Sequence, residues 1–217
     1  MKDFIIYAID FEGSLQTGIL EYGIVGISAQ HGIFFTETHL CKNKAKIPST
    51  ETQCHQISES ALEECFDFSH YIQRFINLRS KAFLCAHNAS YENTLLNAYC
   101  PIILNPYTLP KIKSQQWGPW IDTYFLYKKS TKHSNYNLSE LINFFKLDDI
   151  LEQLSKKFCP PQRKNFHCAL FDSIACSLLL LNFIRNLKEP QINLPWLLQQ
   201  STPSNISEGI RQPQLWD

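Results

Sequence analysis

The alternation of hydrophobic and polar residues divides the chain into an N-terminal group of strands and a longer, mainly helical part. The apolar, β-branched run at residues 4–10 predicts a buried strand. Two further apolar runs, residues 19–28 and 32–40, are separated by a short polar segment that offers Gly32 for a turn, so they predict a β-meander. A short apolar run at residues 82–86 predicts a second buried strand.

Helical spacing of apolar residues, together with polar residues before such runs, predicts helices in most of the remaining chain. Polar or proline-rich stretches at residues 42–50 and 105–119 predict loops. Strands that come first and then alternate with helices favour an α/β fold, with a mixed β-sheet flanked by α-helices. The predicted helices cover residues 58–64, 68–78, 90–99, 121–129, 138–145, 149–158 and 169–187.

Length and composition are those of one folded domain with a short appendage. The 217 residues are 44% hydrophobic and 18% charged, which excludes an intrinsically disordered chain. The last stretch is rich in Pro, Gln and Ser and predicts a tail that packs on the surface or is partly disordered. We therefore predict a domain at residues 1–189 and a C-terminal tail at residues 190–217.

The charge of the whole chain indicates no partner, because 20 basic residues balance 20 acidic ones. The distribution is less even, since residues 111–164 carry ten basic residues against five acidic ones. This stretch either follows a phosphate backbone or forms a set of solvated helix faces, and the sequence leaves both open. Trp117 lies in the predicted loop beside Gly118 and Pro119, where an exposed indole would stack on a base.

Targeting signals and cysteine usage favour a cytoplasmic protein with reduced thiols. The N-terminus has no leader-length apolar region, and the most apolar stretch, residues 173–184, is too short to span a bilayer. The eight cysteines include no Cys-x-x-Cys pair. An alternative is a zinc site, although its spacing fits no familiar zinc motif. Its ligands would be His39, Cys41, Cys54 and His55.

Acidic residues follow both predicted buried strands and begin the last long helix. Asp10 and Glu12 point to one face because side chains alternate along a strand. Glu92 falls in the first turn of a helix, where an acid also simply complements the helix dipole. Asp172 stands among apolar residues shortly after His167, and a buried acid is costly unless it is paired or binds a metal. The acids are thus either surface groups or parts of one metal site.

In their order along the chain, three motifs resemble those of the DEDDh (DnaQ-like) 3′–5′ exonuclease family. The resemblance runs from about residue 4 to residue 181 and includes Glu21-Tyr22-Gly23-Ile24-Val25, which resembles the second strand of the family. His55-Gln56-Ile57-Ser58 resembles its His-Gly-Ile-Thr turn. The resemblance implies an RNase H-like mixed sheet. The motifs are Asp10-Phe11-Glu12, His87-Asn88-Ala89-Ser90-Tyr91-Glu92 and His167-Cys168-Ala169-Leu170-Phe171-Asp172.

The resemblance also implies a reaction, the hydrolysis of phosphodiester bonds from a 3′ end with release of nucleoside 5′-monophosphates. Two divalent ions, Mg²⁺ or Mn²⁺, would clamp the scissile phosphate, and His167 would act as general base. The metal ligands would be Asp10, Glu12, Glu92 and Asp172. The residues that bind nucleic acid would be Gly13, Ser14, Leu15, Asn88 and Trp117.

The chain departs from the family pattern at two places. Glu92 stands where the family usually has Asp, and Gly13-Ser14-Leu15 where many relatives have Thr-Gly. The expected substrate is single-stranded or 3′-overhang DNA, as for Trex-type enzymes. RNA, as for RNase T, is an alternative, and a catalytically impaired nucleic-acid-binding module is another. No membrane partner is expected, and the sequence identifies no surface for the homodimer that some relatives form.

Overall fold

Five strands and eight α-helices make up the part of the chain described by the computed structural model, residues 5–28, 30–100, 117–186 and 193–202. The strands are β1 (Ile5–Ser14), β2 (Gly18–Ser28), β3 (Gly32–Leu40), β4 (Phe83–Ala86) and β5 (Trp120–Asp122). The helices are α1 (Ser49–His55), α2 (Ile72–Lys81), α3 (Ser90–Tyr99), α4 (Thr123–Ser130), α5 (Leu138–Phe144), α6 (Asp148–Phe158), α7 (Ala169–Asn186) and α8 (Leu194–Gln200). Two 3₁₀ turns cover Glu59–Leu62 and Phe68–Tyr71.

The strands form one mixed sheet in the order β3-β2-β1-β4-β5. Strands β1, β2 and β3 pair antiparallel, which confirms the predicted meander, whereas β4 pairs parallel with β1 and β5 parallel with β4. Parallel neighbours place the carboxyl ends of β1, β4 and β5 at the same edge of the sheet. Helices flank this sheet, so the predicted fold class is confirmed.

The hydrophobic core occupies both faces of the sheet because side chains alternate along β1. Ile6 and Ala8 contribute to the cluster built around α7, and Ile9 and Phe11 to a second cluster with residues of α2 and α3. Phe11 is therefore a core residue, as expected. Asp10 has the same parity as Ile6 and Ala8 and so faces α7.

Helix α7 is the central helix of the larger cluster. It is long and apolar enough to cross a membrane by length and composition, but most of its residues are buried inside the fold, which accounts for its apolar character. Its first turn approaches β2 closely at Gly23, where an added Cβ would lie 2.3 Å from the carbonyl carbon and oxygen of Ala169. Because Gly23 pairs with Asp10 in the sheet, this close contact brings the start of α7 beside the end of β1.

Several elements differ from the sequence prediction, and the predicted helix at residues 58–64 is only the 3₁₀ turn Glu59–Leu62. Helix α1 begins inside the predicted loop at residues 42–50, and the predicted helix at 121–129 starts as strand β5 before it continues as α4. Helix α8 lies within the predicted tail, where the side chain of Asn193 caps it and Leu197 is fully buried. The rest of the tail lies mostly outside the described residues, so the domain boundary stays a prediction.

The prediction that Trp117 is an exposed stacking residue is wrong. Its side chain is fully buried in the cluster that contains Phe75, and its indole N–H donates to the carbonyl oxygen of Cys100 at 3.1 Å. A buried indole with its donor satisfied belongs to the core and is inaccessible to a base. Residues 105–116 of the predicted loop, which include Lys111 and Lys113 of the basic stretch, lie outside the described residues.

Candidate active site

A cavity of about 400 Å³ opens where β1, α1, α3 and the start of α7 meet. The five residues predicted to catalyse the reaction all contribute to its wall, although they come from separate parts of the chain. These residues are Asp10, Glu12, Glu92, His167 and Asp172. The structure therefore brings the predicted residues together, while their roles stay predictions.

Strand β1 supplies the first two carboxylates. Asp10 and Glu12 alternate with the core residue Phe11 and point to the α7 side of the sheet. A β-bulge between Glu12 and Gly13 shifts the pairing with β2. Gly13 adopts a φ of 119°, and a Cβ there would lie 2.1 Å from the carbonyl oxygen of Gly18. Only glycine fits this position, so the backbone conformation explains the presence of Gly13 without any contact to a ligand.

The third carboxylate, Glu92, is placed by the turn that joins β4 to α3. Asn88 in this turn has a φ of 69°, and its backbone N–H donates to Asp122 Oδ1 at 3.0 Å. The N–H of Ala89 donates to Asp122 Oδ2 at 2.9 Å, so one buried aspartate of β5 fixes the turn through two successive backbone N–H groups. Glu92 itself is 3% exposed, and its Oε2 has no hydrogen-bond partner among the described residues.

The fourth carboxylate, Asp172, is linked directly to the histidine. The backbone N–H of His167 donates to Asp172 Oδ2 at 2.9 Å, while Asp172 Oδ1 is buried without a partner in the described part of the chain. His167 has a φ of 64°, and its side chain is exposed. One ligand atom each of Glu12, His167 and Asp172 lies within 4.8 Å of the others.

Burial raises the pKa of every carboxyl group in this set, and the charges of neighbouring carboxylates add to its effect. Burial first, and then the charges of neighbouring carboxylates, raise the pKa of Asp10 and of Glu92 well above the usual values. The same causes raise the pKa of Glu12 to about 8, and burial raises the pKa of Asp172 to about 7. Carboxylates held this close are ionised together only when a cation compensates them.

The residues present fit a site for hard divalent cations. The donors are carboxylate oxygens, which Mg²⁺ and Mn²⁺ prefer, and two of these oxygens are buried without a hydrogen-bond partner in the described residues. Buried polar atoms are normally hydrogen-bonded, so these carboxylate oxygens are available as ligands for a cation. Within the described residues, the four predicted zinc ligands do not form a metal-binding group. Cys41 packs in the core, whereas Cys54 and His55 line the cavity.

The residues predicted to bind nucleic acid occupy different surroundings. Gly13 lines the cavity, and Leu15 is 58% exposed in the β1–β2 turn. The hydroxyl groups of Tyr91 and Tyr99 donate to the carbonyl oxygens of Gly13 and Leu15, which ties this turn to α3. Ser14 and Asn88 do not line the cavity. The Ser14 hydroxyl accepts from the N–H of Thr17 at 3.1 Å, and the Asn88 amide oxygen accepts from the Ser90 hydroxyl at 3.1 Å.

Sequence reasoning missed the wall of the cavity that α1 contributes. Glu51, Cys54 and His55 lie there, and Glu51 Oε2 accepts from the Thr17 hydroxyl at 2.9 Å. His55 Nδ1 accepts from the N–H of Ile57 at 3.0 Å, which leaves the proton on Nε2, a buried atom without a partner among the described residues. The resemblance of residues 55–58 to a family turn was the available signal for this wall.

Comparison with known proteins identifies the fold. No family model and no curated protein matches the sequence, but solved structures do. One is Exonuclease X in complex with 5′-overhanging duplex DNA, with a TM-score of 0.64 and 19% identity over 91% of this chain and 99% of that one. The fold is RNase H-like.

Two further structures support this fold. The nuclease domain of 3′hExo, described as a DEDDh family member bound to rAMP, has a TM-score of 0.60 and 15% identity over 89% of this chain and 98% of that one. Exonuclease I of E. coli in complex with a dT13 oligonucleotide has a TM-score of 0.56 and 12% identity over 82% of this chain and 40% of that one. The RNase H-like sheet implied by the sequence motifs is thereby confirmed.

Proposed function

We propose that this protein is a metal-dependent 3′–5′ exonuclease that hydrolyses phosphodiester bonds at DNA 3′ ends and releases nucleoside 5′-monophosphates. One observation carries the proposal, the convergence of four carboxylates and one exposed histidine on a single cavity. The two unpaired buried oxygens of this set, on Glu92 and Asp172, add the need for a cation. The RNase H-like fold, shared with proteins named as exonucleases, supports the same reaction.

The four carboxylates would hold two divalent ions, most simply Mg²⁺ or Mn²⁺. When bound, such ions supply the positive charge that stabilises the attacking and leaving oxygens of the phosphoryl group. Asp10 and Glu12 would bind them from the sheet, Glu92 from the start of α3 and Asp172 from the start of α7. The site is thus assembled from three segments, and each segment is fixed by backbone contacts outside the cavity.

His167 takes the proton from the attacking water at one ring nitrogen. Within the described residues, neither ring nitrogen of His167 makes a hydrogen bond, so the imidazole is free to accept a proton from water at the cavity. Its backbone is held by Asp172, which keeps the base next to the acidic cluster.

DNA is the first proposed substrate and RNA the second. Exonuclease X, which this chain matches over 99% of the length of that protein, was solved with duplex DNA. The 3′hExo domain was solved with rAMP, and a further matching structure is described as the recognition of a histone mRNA stem-loop by a 3′-exonuclease. Because the fold accommodates both nucleic acids, the 2′-hydroxyl of the terminal nucleotide is the group to vary.

The test is a cleavage assay on 5′-labelled DNA and RNA oligonucleotides of matched sequence, with Mg²⁺, with Mn²⁺ and with a chelator. We expect a ladder that shortens stepwise from the 3′ end, depends on the divalent ion and is faster on DNA. Faster cleavage of RNA would assign the substrate to the second candidate. Binding of either oligonucleotide without shortening in both metals would contradict the nuclease and leave a binding module.

We expect Glu92→Asp to lower the rate with Mg²⁺ more than with Mn²⁺. Glu92 is buried and reaches the cavity with one methylene more than Asp, so the substitution withdraws its carboxylate by about 1.5 Å. A displacement of about 1 Å at a reacting centre costs up to about 100-fold, and Mg²⁺ demands the stricter geometry.

The measurement is the cleavage rate of Glu92→Asp and of Glu92→Gln in each metal. Gln keeps the length of the side chain but removes its charge, so it separates reach from charge. Equal rates of the wild type and Glu92→Asp in both metals would show that the length of this side chain does not affect the site.

A further inference from the structure

A buried ion pair that the mechanism does not use lies behind the cavity. Glu21 on β2 is 2% exposed and stands opposite Glu12 in the β1–β2 register. Arg163, in the segment between α6 and α7, donates from Nε to Glu21 Oε1 at 3.2 Å and from Nη2 to Glu21 Oε2. The Arg163 side chain is 12% exposed, so the pair is largely shielded from water.

The same pair contacts the backbone on both sides of the cavity. Arg163 donates from Nη2 to the carbonyl oxygen of His167 at 3.4 Å and from Nη1 to that of His55. Glu21 Oε2 also accepts from the N–H of Ala169 at 2.9 Å. One guanidinium and one carboxylate therefore connect β2, the end of α1 and both ends of the turn that carries His167.

His167 needs such support because neither its conformation nor its packing holds it. Its φ of 64° lies in the left-handed region, which costs energy for a residue other than glycine and persists only where the surroundings impose it. Its side chain is exposed, so the core does not fix it. The backbone contacts from Arg163, Glu21 and Asp172 are what restricts the turn.

We propose that Arg163 and Glu21 are positioning residues for His167, which act by fixing the turn at residues 163–169 against β2. This inference rests on the proposed function. A buried ion pair contributes little net stability because its desolvation offsets its attraction, so a gain in position is the better explanation of its presence. The planar guanidinium suits this task, since its nitrogens donate in fixed directions to acceptors on three segments.

The test is a double-mutant cycle between Arg163→Met and His167→Ala, measured as kcat and KM on a labelled DNA oligonucleotide with Mg²⁺. We expect Arg163→Met to lower kcat by about 10–100-fold, as for other residues that orient a catalytic group, with KM nearly unchanged. We expect His167→Ala to lower kcat by about 10²–10⁴-fold. The double variant should be no slower than His167→Ala, because the position of an absent base no longer matters.

The matched control is Arg74→Met. Arg74 forms the other described Arg–Glu ion pair, with Glu37 of β3, and neither residue lines the cavity. We expect the kcat of Arg74→Met to stay within about twofold of the wild type, since residues that share no contact with the site act independently of it. If Arg163→Met does not fold, Glu21→Gln replaces it in the cycle, because an amide oxygen still accepts from Ala169.

Either of two results would overturn the inference. One is an unchanged kcat of Arg163→Met, and the other is a double variant whose loss of kcat equals the product of the two single losses. A wild type that cleaves neither DNA nor RNA would instead refute the proposed function. In that case the ring-proton NMR signal of His167, assigned by its loss in His167→Ala, still tests the positioning. We expect it to shift or broaden in Arg163→Met and not in Arg74→Met, and an unchanged signal would overturn the inference.

Discussion

Asp172→Asn is expected to lower kcat by at least about 10³-fold and, in the same protein, to raise the unfolding temperature of the metal-free form. The amide oxygen still accepts from the N–H of His167, so the turn keeps its contact. The lost negative charge removes a metal ligand. A bound ion stabilises the transition state by several kcal/mol, and each 1.36 kcal/mol corresponds to about tenfold in rate. A residue that only stabilised the fold would show the opposite change in unfolding temperature.

The rise in stability depends on pH in a defined direction. Burial raises the pKa of Asp172 to about 7, so its carboxyl group is largely neutral at about pH 5 and ionised at about pH 8. Neutralisation by Asn therefore stabilises the metal-free protein more at pH 8 than at pH 5. Thermal unfolding in a chelator at both values, together with the cleavage assay, measures both effects.

Asp149→Asn is the matched control for this prediction. Asp149 is an exposed acid in the first turn of α6 and does not line the cavity. We expect no loss of cleavage and a small decrease in stability, because its charge complements the helix dipole. Destabilisation of the metal-free protein by Asp172→Asn at pH 8, or retention of the wild-type rate, would contradict the assignment of Asp172 to a metal site.

The strands and the acidic cluster were predictable because each follows from a local pattern. Alternation along β1 places Asp10 and Glu12 on the α7 side of the sheet, and a short apolar strand followed by a helix start places Glu92. Helix α3 covers the predicted residues 90–99. Convergence of the segments was implied by the order of the three motifs and not by any single one.

The elements that were missed depend on tertiary contacts. Helix α1 has seven mostly polar residues, and contacts such as that between Glu51 and Thr17 anchor it. Strand β5 has three residues, too few for a periodic pattern, and forms because β4 offers a parallel edge. Burial of Trp117 was equally invisible, since the loop composition around it is polar.

The ion pair of Glu21 and Arg163 was also not predictable, because it joins residues that are far apart in the sequence. Glu21 and Arg163 are 142 residues apart, and neither stands at a characteristic spacing from an acid or a histidine of the motifs. In the sequence, Arg163 belonged to a basic stretch that was a candidate for phosphate binding. In the fold it is paired internally, which removes one positive charge from that candidate surface.

Mg²⁺ is expected to reverse a loss of stability that the metal-free protein undergoes between about pH 5 and about pH 8. Burial raises the folded-state pKa of each of the four carboxyl groups proposed to bind metal above its usual value, to about 8 for Glu12 and about 7 for Asp172. The folded state thus binds more protons than the unfolded state in this range, and its stability falls as the pH rises through these values. Bound cations compensate the carboxylates that have lost their protons, so the gain in stability from Mg²⁺ should be small at pH 5 and large at pH 8.

The expected gain at pH 8 is about 2.7 kcal/mol when free Mg²⁺ exceeds its dissociation constant 100-fold, which corresponds to about 5–11 °C in a domain of this size. Thermal unfolding at about pH 5 and pH 8, with Mg²⁺ and with a chelator, measures it. Asp172→Asn should abolish most of the gain and Asp149→Asn none of it. An equal Mg²⁺ effect in the wild type and in Asp172→Asn would mean that the ion stabilises the protein elsewhere, because a cation held by the cavity carboxylates loses affinity when one of them is neutralised.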